Sequence, residues 1–136
     1  MILIPKTRKS GVIMAAALIV DVILCNVILK NLIARVRPYD VNTAVQILVA
    51  KPKDFSFPSG HTAASFASVT ALYLAGEKKL WKPALALAIL IAFSRMYLYV
   101  HYPTDILGGV IFGSLSAWIG YRISTKVLLY AMMKKE

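Results

Sequence analysis

The sequence predicts an all-α fold, a polytopic membrane helix bundle with about four transmembrane helices, in a single domain over residues 1–136. The first observation is composition, because 59% of the residues are hydrophobic and the mean hydropathy is +0.68. A soluble domain is nearer half apolar. The second observation is that the apolar residues collect in four long runs, at residues 11–29, 62–76, 83–100 and 105–121.

The lengths of these runs favour membrane helices over ordinary core helices. A helix needs about 20 residues to cross the hydrocarbon, with a usable range of about 17 to 25. The first and third runs meet this length alone, whereas the second and fourth need their flanking residues. The alternative is four buried helices of a soluble core, which the scarcity of polar surface between the runs disfavours.

The first run, GVIMAAALIVDVILCNVIL, is expected to be a membrane helix and not a cleaved signal peptide. No small-residue cleavage site follows its basic front, PKTRKS. Asp21 and Asn26 interrupt the run, and polar side chains at that depth are expected to face other helices. We interpret Asp21 as a helix-packing contact, with proton movement as the alternative. Cys25, the single cysteine, is expected to serve packing because it has no disulfide or metal partner.

The end of this first helix reads KNLIARVRP. Lys30 and Arg37 are seven residues apart, or two helical turns, so their side chains are predicted to lie on one face about 10 Å apart. Pro38 disfavours helix at the preceding residue, so the chain is expected to leave the helix near Arg37. The alternative is that these cations only anchor the helix end at the lipid headgroups.

The second helix is predicted to begin at FPSGH, near His61. Gly60 allows a ligand or another backbone to approach closely. The first turn of a helix presents unpaired N–H groups and the positive end of the helix dipole, and both suit an anion. The preceding linker, residues 39–56, is either a plain connector or contains a short interfacial helix over AVQILVA.

The third helix ends with Ser94 and Arg95, and the segment MYLYVHYPTD leads into the fourth helix. Pro103 fits the first turn of that helix, where its missing N–H costs nothing. His101 then lies at the helix mouth, where Asp105 can accept its Nδ1 proton and leave Nε2 free as a nucleophile. The alternative is that Asp105 only stabilises the first turn and His101 is an interfacial ring.

Three helix ends on one membrane face therefore carry two histidines, one lysine, two arginines and one aspartate, and together they predict a phosphate site. The segments KNLIARVRP, PSGH and SRMYLYVHYPTD resemble the three signature motifs of the type 2 phosphatidic acid phosphatase family. These motifs are a lysine separated by six residues from Arg-Pro, the tetrapeptide Pro-Ser-Gly-His, and Ser-Arg followed by a histidine and an aspartate. All three match in order and with full spacing over residues 30 to 105.

The resemblance implies a role for each matching residue. His101 is the implied nucleophile, which becomes a phosphohistidine, and Asp105 is its orienting partner. His61 is the implied acid for the leaving oxygen and then the base for the hydrolytic water. No metal or cofactor is expected, because fixed cations can stabilise the phosphoryl group and the six acidic residues are scattered. The implied phosphate-binding residues are Lys30, Arg37, Ser59, Gly60 and Arg95.

The start of the chain departs from the family pattern. Members usually carry six spanning helices, with the lysine motif after the third, whereas this chain opens directly into the counterpart of the third helix. The first two helices are therefore expected to be lacking, through an internal start, a cut chain or a natural short form. Two stripes of small residues predict close packing of the other helices. These stripes are Gly109, Gly113 and Ala117, and Ala67, Ala71 and Ala75.

The distribution of basic residues predicts a plasma membrane protein with cytoplasmic termini and an outward-facing site. With four spans, both termini lie on one side, which holds ten of the sixteen lysines and arginines, and the other side holds six. The ten are Lys6, Arg8, Lys9, Lys78, Lys79, Lys82, Arg122, Lys126, Lys134 and Lys135. The six are Lys30, Arg35, Arg37, Lys51, Lys53 and Arg95.

The implied substrate is a lipid phosphate or diphosphate at the outer membrane–water interface, such as undecaprenyl diphosphate, phosphatidylglycerol phosphate or phosphatidic acid. The net charge of +10 suits anionic lipid surfaces, so membrane lipids are expected partners. A homo-oligomer is compatible with the sequence. Nucleic-acid binding is not expected, because the basic residues lie at helix ends without interleaved aromatic residues.

Two alternatives to a lipid phosphatase stay open at this point. The same three motifs also resemble those of vanadium-dependent haloperoxidases, which hold vanadate in the pocket. Those enzymes are large soluble proteins, so the apolar helices argue against this interpretation. The other alternative is a truncated, inactive membrane scaffold. The intact motif residues argue against it, and the lacking helices argue for it.

Overall fold

A computed structural model describes residue 1 and residues 7–134 of the chain. The helices are α1 (Arg8–Asp21), α2 (Lys30–Ile33), α3 (Pro38–Val41), α4 (Gly60–Leu74), α5 (Trp81–Tyr97) and α6 (Pro103–Met133). A π-helical segment, Val22–Leu29, joins α1 to α2. The predicted all-α membrane helix bundle is confirmed.

Two helical stretches of the described residues are long and apolar enough to cross a membrane. They are Arg8–Val41 and Pro103–Tyr130, in which an 18-residue segment has a mean hydropathy of 2.7 and 1.4, respectively. Helices α4 and α5 contain 15 and 17 residues, near the lower limit of about 17 for a span. Helix α5 ends at Tyr97, before the end of the third apolar run at residue 100, and Tyr99 just beyond the helix adopts a φ of 58°.

The segment that precedes α4 is a connector. Residues 44–50, which offered a short interfacial helix as one alternative, form turns and bends instead. A single helical turn, α3, forms earlier in the linker, with Pro38 at its first position. Pro103 likewise begins α6, as predicted. Proline suits this position because the first helical N–H has no intrahelical acceptor.

Small residues hold α1, α4 and α6 together, which confirms the packing expected from the two stripes. Ala17, Ala67, Ala71 and Ala117 are fully buried in one cluster. A Cβ atom added at Gly109 would lie 2.8 Å from the Cβ atom of Thr62 and 2.9 Å from the Ser59 carbonyl oxygen. Only a residue without a side chain allows α4 and α6 to approach this closely.

The surface and interior of the bundle divide as expected for a membrane protein. Large apolar side chains point outward from three of the long helical stretches. Asp21 faces inward with 1% of its surface exposed, as predicted for a polar residue at that depth, and Asn26 is half-buried and lines the cavity described below. Cys25 is fully buried, in line with its expected packing role. The Asp21 Oδ1 atom has no hydrogen-bond partner among the described residues. The outward side chains include Ile19, Ile23, Val27, Leu87, Leu90, Phe93, Leu107, Ile111 and Trp118.

Candidate active site

Three separate segments meet at one end of the bundle around a cavity of about 400 Å³. The first segment runs from the end of the first helical stretch to Arg37, the second runs from Pro52 in the linker to the start of α4, and the third is the junction of α5 and α6. The cavity is lined by Asn26, Lys30, Arg37, Pro52, Asp54, Gly60, His61, Ala64, Arg95, Val100 and His101. Most of the residues predicted from the sequence therefore lie around one space, and Ser59 and Asp105 lie behind its wall.

Lys30 and Arg37 reach the cavity by a different backbone path from the predicted one. The helix ends at Ile33, because Ala34 adopts a left-handed conformation with a φ of 47°. Arg37 is extended and caps α3. The prediction that both cations lie on one continuous helical face is therefore wrong. The reversal at Ala34 still buries both side chains in the same wall of the cavity.

The Arg37 guanidinium uses all five of its N–H donors. Its Nε donates to the Asp54 carbonyl oxygen at 2.8 Å, and one terminal nitrogen donates to the Asp54 carboxylate at 2.6 Å and the Phe55 carbonyl oxygen at 3.3 Å. The other terminal nitrogen donates to the Val100 carbonyl oxygen at 2.9 Å and lies 3.2 Å from the His101 Nε2 atom. Because arginine can only donate, this contact fits a His101 ring with an unprotonated Nε2.

Asp54 is a site residue that sequence reasoning missed. Its carboxylate forms salt bridges with both Lys30 and Arg37 inside the cavity. Burial alone would raise the pKa of Asp54, but hydrogen bonds and charges from Lys30 and Arg37 outweigh it and hold the pKa below its ordinary value. The only sequence signal was that one of six acidic residues lies seven positions before the PSGH histidine.

Asp105 is fully buried behind His101 and is held on several sides. Its Oδ2 atom accepts hydrogen bonds from the Ser56 hydroxyl at 2.5 Å and the Tyr102 N–H at 2.9 Å. The same oxygen lies 3.4 Å from the His101 Nδ1 atom, slightly long for a hydrogen bond. Arg35 donates to Oδ1 at 2.8 Å. The Asp105 carboxylate therefore lies beside the His101 ring and is held there by partners that the sequence did not identify.

Burial lowers the pKa of His101, and the nearby charges of Arg37 and Lys30 lower it further, while Asp105 opposes them. The net pKa lies below the ordinary value of 6.5. The ring is therefore neutral near pH 7, which is the form that a nitrogen nucleophile requires.

Arg35 was assigned from the sequence only to the charge count. Its guanidinium lies 4.0 Å from the Tyr102 ring centroid and donates to the Thr104 hydroxyl at 2.5 Å as well as to Asp105. Its position between Lys30 and Arg37 in KNLIARVRP gave no indication of this role. Ser56, two residues before the PSGH motif, was missed in the same way.

The two residues before His61 occupy different positions relative to the cavity. The Ser59 side chain is fully buried and accepts a hydrogen bond from the Thr62 hydroxyl at 3.0 Å. Its N–H donates to the Asp105 carbonyl oxygen at 3.0 Å, which ties α4 to α6. At Gly60, an added Cβ atom would lie 2.9 Å from the Asn26 Oδ1 atom, so glycine keeps the cavity open there.

Residues 1 and 7–134 contain no group of three or more histidine, cysteine, aspartate or glutamate side chains that could hold a metal ion. The positive charge around the cavity instead comes from Lys30, Arg37 and Arg95. Preorganised cations and N–H groups of this kind stabilise the spread negative charge of a phosphoryl group during transfer.

The fold and the cavity define a membrane helix bundle with a cationic, histidine-containing pocket suited to phosphate. The PAP2 superfamily profile matches residues 10–128. The chain therefore belongs to the PAP2 superfamily, which confirms the resemblance seen in its motifs.

Three relatives show the range of similarity. An undecaprenyl-diphosphatase of Sulfolobus acidocaldarius is 29% identical, over 92% of this chain and 60% of that protein. Phosphatidylglycerophosphatase B of Bacillus subtilis is 39% identical, over 68% of this chain and 47% of that protein. The crystal structure of a transmembrane PAP2 type phosphatidylglycerolphosphate phosphatase from Bacillus subtilis superimposes with a TM-score of 0.66 at 33% identity, covering 87% of this chain and 60% of that one. The chain thus spans about half to three fifths of the length of these relatives.

Proposed function

We propose that the protein is a lipid phosphate or diphosphate phosphohydrolase that acts without a bound metal through a phosphohistidine intermediate. One observation carries the proposal: His101, His61 and the three cations Lys30, Arg37 and Arg95 line a single cavity. The names of the relatives support the same substrate class, since they include an undecaprenyl-diphosphatase and phosphatidylglycerophosphatases. The exposed apolar helices and these relatives favour a lipid phosphatase over the haloperoxidase alternative.

In the first step, the Nε2 atom of His101 attacks phosphorus and the bond to the leaving oxygen breaks. His61 donates a proton to that oxygen, so that it leaves as an alcohol or as the shorter phosphate. The buried carboxylate of Asp105 faces the Nδ1 atom and stabilises the positive charge that develops on the ring. Lys30, Arg37 and the Gly60 amide hold the equatorial oxygens.

In the second step, water attacks the phosphohistidine and the N–P bond breaks. His61 now accepts the proton of the water, and inorganic phosphate and neutral His101 are formed. Arg95 lines the same cavity and is the remaining cation for the product phosphate. Ser59 was implied as a further phosphate ligand, but its hydroxyl is buried against Thr62. We therefore assign the backbone amides at the start of α4 to this role.

We place the reaction at the outer face of the plasma membrane in a multi-pass protein with cytoplasmic termini. The excess of basic residues on the side of the termini supports this orientation. Two residues of that count, Lys6 and Lys135, lie outside the described residues. The cavity lies where three helix ends meet. We expect a lipid substrate to enter it sideways from the bilayer.

Phosphate release from detergent-purified protein tests the proposed function. Undecaprenyl diphosphate, phosphatidylglycerol phosphate and phosphatidic acid serve as the substrate panel, and the His101→Ala variant is the matched control. We expect release from at least one lipid, persistence in excess EDTA, and loss in the variant. Loss of release in EDTA with recovery on addition of magnesium would contradict the metal-independent mechanism. No release from any lipid would support the inactive scaffold.

A further inference from the structure

The Asp54 carboxylate contacts the two cations, Lys30 and Arg37, to which we assign phosphate binding. It bridges them, and its Oδ1 atom lies 2.6 Å from the Arg37 nitrogen. The two cations are almost completely buried, whereas 53% of the Asp54 side chain is exposed. Asp54 lies in the irregular segment between α3 and α4. The Asp54 backbone carbonyl is hydrogen-bonded to the Arg37 Nε atom, whereas the half-exposed Asp54 side chain can leave the two buried cations by rotation alone.

An incoming phosphate finds no unused donor on Arg37 while Asp54 stays in place. All five N–H groups of the guanidinium already have acceptors, and two of these acceptors belong to Asp54. One of the five contacts also covers the Nε2 atom of His101. Displacement of the Asp54 carboxylate frees one terminal N–H of Arg37 and the Lys30 ammonium for the substrate. It also allows the Arg37 guanidinium to turn from His101 toward the phosphate.

The charge of the ligand determines whether this exchange is favourable. A phosphate monoester carries nearly two negative charges at neutral pH. Lys30 and Arg37 attract such a phosphate more strongly than they attract the singly charged carboxylate that it replaces. A phosphodiester carries one charge and therefore gains nothing over Asp54. This difference matters in a bilayer, where phosphodiester headgroups surround the cavity in large excess over any monoester.

We propose that Asp54 is a specificity-determining residue that keeps phosphodiester headgroups out of the cavity and yields only to phosphates with two or more negative charges. The proposal rests on the function proposed above, because it requires that the cavity binds phosphate. It adds the criterion by which the pocket distinguishes a terminal phosphate from the phosphodiesters of ordinary membrane lipids.

Calorimetric titration of the detergent-purified protein tests the proposal without turnover. The two probes are inorganic phosphate and dimethyl phosphate, a monoanionic diester, at low ionic strength. We expect the wild-type protein to bind phosphate and to bind dimethyl phosphate only weakly. Asp54→Asn should bind dimethyl phosphate on the order of tenfold more tightly, because the internal competitor loses its charge.

Asp40→Asn is the matched control. It removes the same charge from an exposed position in the same linker, and Asp40 does not line the cavity. We expect its dimethyl phosphate affinity to equal that of the wild-type protein. Asp54→Glu should keep the exclusion of the diester because it keeps the charge. A gain of equal size in Asp40→Asn would show a general surface effect and overturn the proposal.

Carbon-13 NMR of the wild-type protein provides a second test that needs no variant. The chain contains four aspartates, so a carboxylate-labelled sample gives few resonances. We expect inorganic phosphate to shift the Asp54 resonance and dimethyl phosphate to leave it unchanged. Failure of Asp54→Asn to gain diester affinity, or an Asp54 resonance that phosphate does not move, overturns the proposal while hydrolysis of lipid phosphates stays intact. If the protein binds neither probe but hydrolyses a lipid phosphate, this proposal fails and the proposed function stands.

Discussion

The contact between Arg37 and His101 is the central feature of the pocket at the scale of single residues. The Arg37 nitrogen lies 3.2 Å from the Nε2 atom that we expect to attack phosphorus. The opposite ring nitrogen, Nδ1, faces the buried Asp105 carboxylate. This arrangement selects the tautomer with its proton on Nδ1, and it places a fixed positive charge beside the ring. Both effects keep the His101 ring neutral, which is the form that a nitrogen nucleophile requires.

His101 is predicted to titrate below pH 6.5, the ordinary value, because burial and the neighbouring cations disfavour its charged form. Below its pKa the ring is protonated and cannot attack, so phosphoenzyme formation should persist to a lower pH than for an unperturbed histidine. Arg37→Gln should raise the pKa of His101 by removing a positive charge. Proton–nitrogen NMR can follow this, because the chain has two histidines.

Lys79→Gln is the control for this titration, since Lys79 lies in the turn between α4 and α5, outside the residues that line the cavity. It removes a positive charge of the same size, and the pKa of His101 should stay unchanged. A pKa of His101 above 6.5 in the wild-type protein would contradict the description of the ring as buried among cations.

Replacement of His101 and replacement of His61 by alanine are predicted to affect the reaction differently. His101→Ala removes the nucleophile, so no phosphoenzyme forms on any substrate. His61→Ala removes the proton donor, which is worth about 10² to 10⁴-fold in general acid catalysis. Its loss should be severe on a lipid monophosphate and milder on p-nitrophenyl phosphate, because nitrophenolate leaves readily without a proton. Rapid-quench labelling measures the phosphoenzyme in each variant.

Acid-labile phosphate should accumulate on the His61→Ala protein, because His61 is also the expected base for the second step. Phosphoenzyme on the His101→Ala protein would show that the nucleophile is misassigned. An equal loss on both substrates in His61→Ala would remove His61 from the role of general acid.

Sequence reasoning identified the residues that have a fixed spacing and missed those that meet only through the fold. The motifs with fixed spacing predicted Lys30, Arg37, His61 and His101, and all four line the cavity. Asp54 was not found, because it lies in a linker without periodicity and pairs with residues up to 24 positions away. No local pattern encodes such a pairing, which depends on the course of the linker.

At the scale of helices and linkers, the ends of the elements position the chemistry. The starts of α4 and α6 were predictable from Gly60 and Pro103. The end of the first helical stretch was not, because the reversal occurs at an alanine. Left-handed backbone is typical of glycine, and an alanine in a helix-compatible sequence gives no signal for it. The left-handed backbone at Ala34 costs free energy of folding, and the reversal that it produces places Arg37 against the cavity.

Replacement of Ala34 tests this reversal directly. A left-handed alanine costs roughly 1 to 2 kcal/mol, so Ala34→Gly should stabilise the protein, by up to about 1 kcal/mol once the flexibility of glycine in the unfolded chain is counted. Ala34→Val should destabilise it, because a β-branched residue tolerates positive φ poorly. Reversible unfolding in mixed detergent micelles measures both changes.

Ala84→Gly provides the opposite control, because Ala84 lies within α5. Glycine in a right-handed helix costs about 1 kcal/mol relative to alanine. The same substitution should therefore stabilise the protein at position 34 and destabilise it at position 84. Destabilisation of similar size at both positions would show that the first helix continues straight through Ala34.

At the scale of the whole molecule, the bundle has two distinct ends. One end holds the cavity. The other holds the start of α1 and the turn between α4 and α5, which are joined by a hydrogen bond from the Ser10 hydroxyl to the Glu77 carboxylate at 2.6 Å. Of the described basic residues, Lys9, Lys78 and Lys79 lie at this second end, whereas Lys30, Arg37 and Arg95 line the cavity at the first. This separation makes the orientation in the membrane testable with one labelling site at each end.

Cysteine labelling on intact cells tests which end faces outward. Asp40 lies in α3, close to the cavity, and Lys79 lies in the turn at the other end, and both side chains are exposed. Cys25 is fully buried, and its replacement by serine provides a background without native thiols. An impermeant maleimide should label Asp40→Cys from outside and leave Lys79→Cys unlabelled, because the end richer in basic residues stays in the cytoplasm. Permeabilised cells should label both variants, which shows that each thiol is reactive. The reverse pattern on intact cells would place the phosphate pocket at the cytoplasmic face and require a substrate drawn from the inner leaflet.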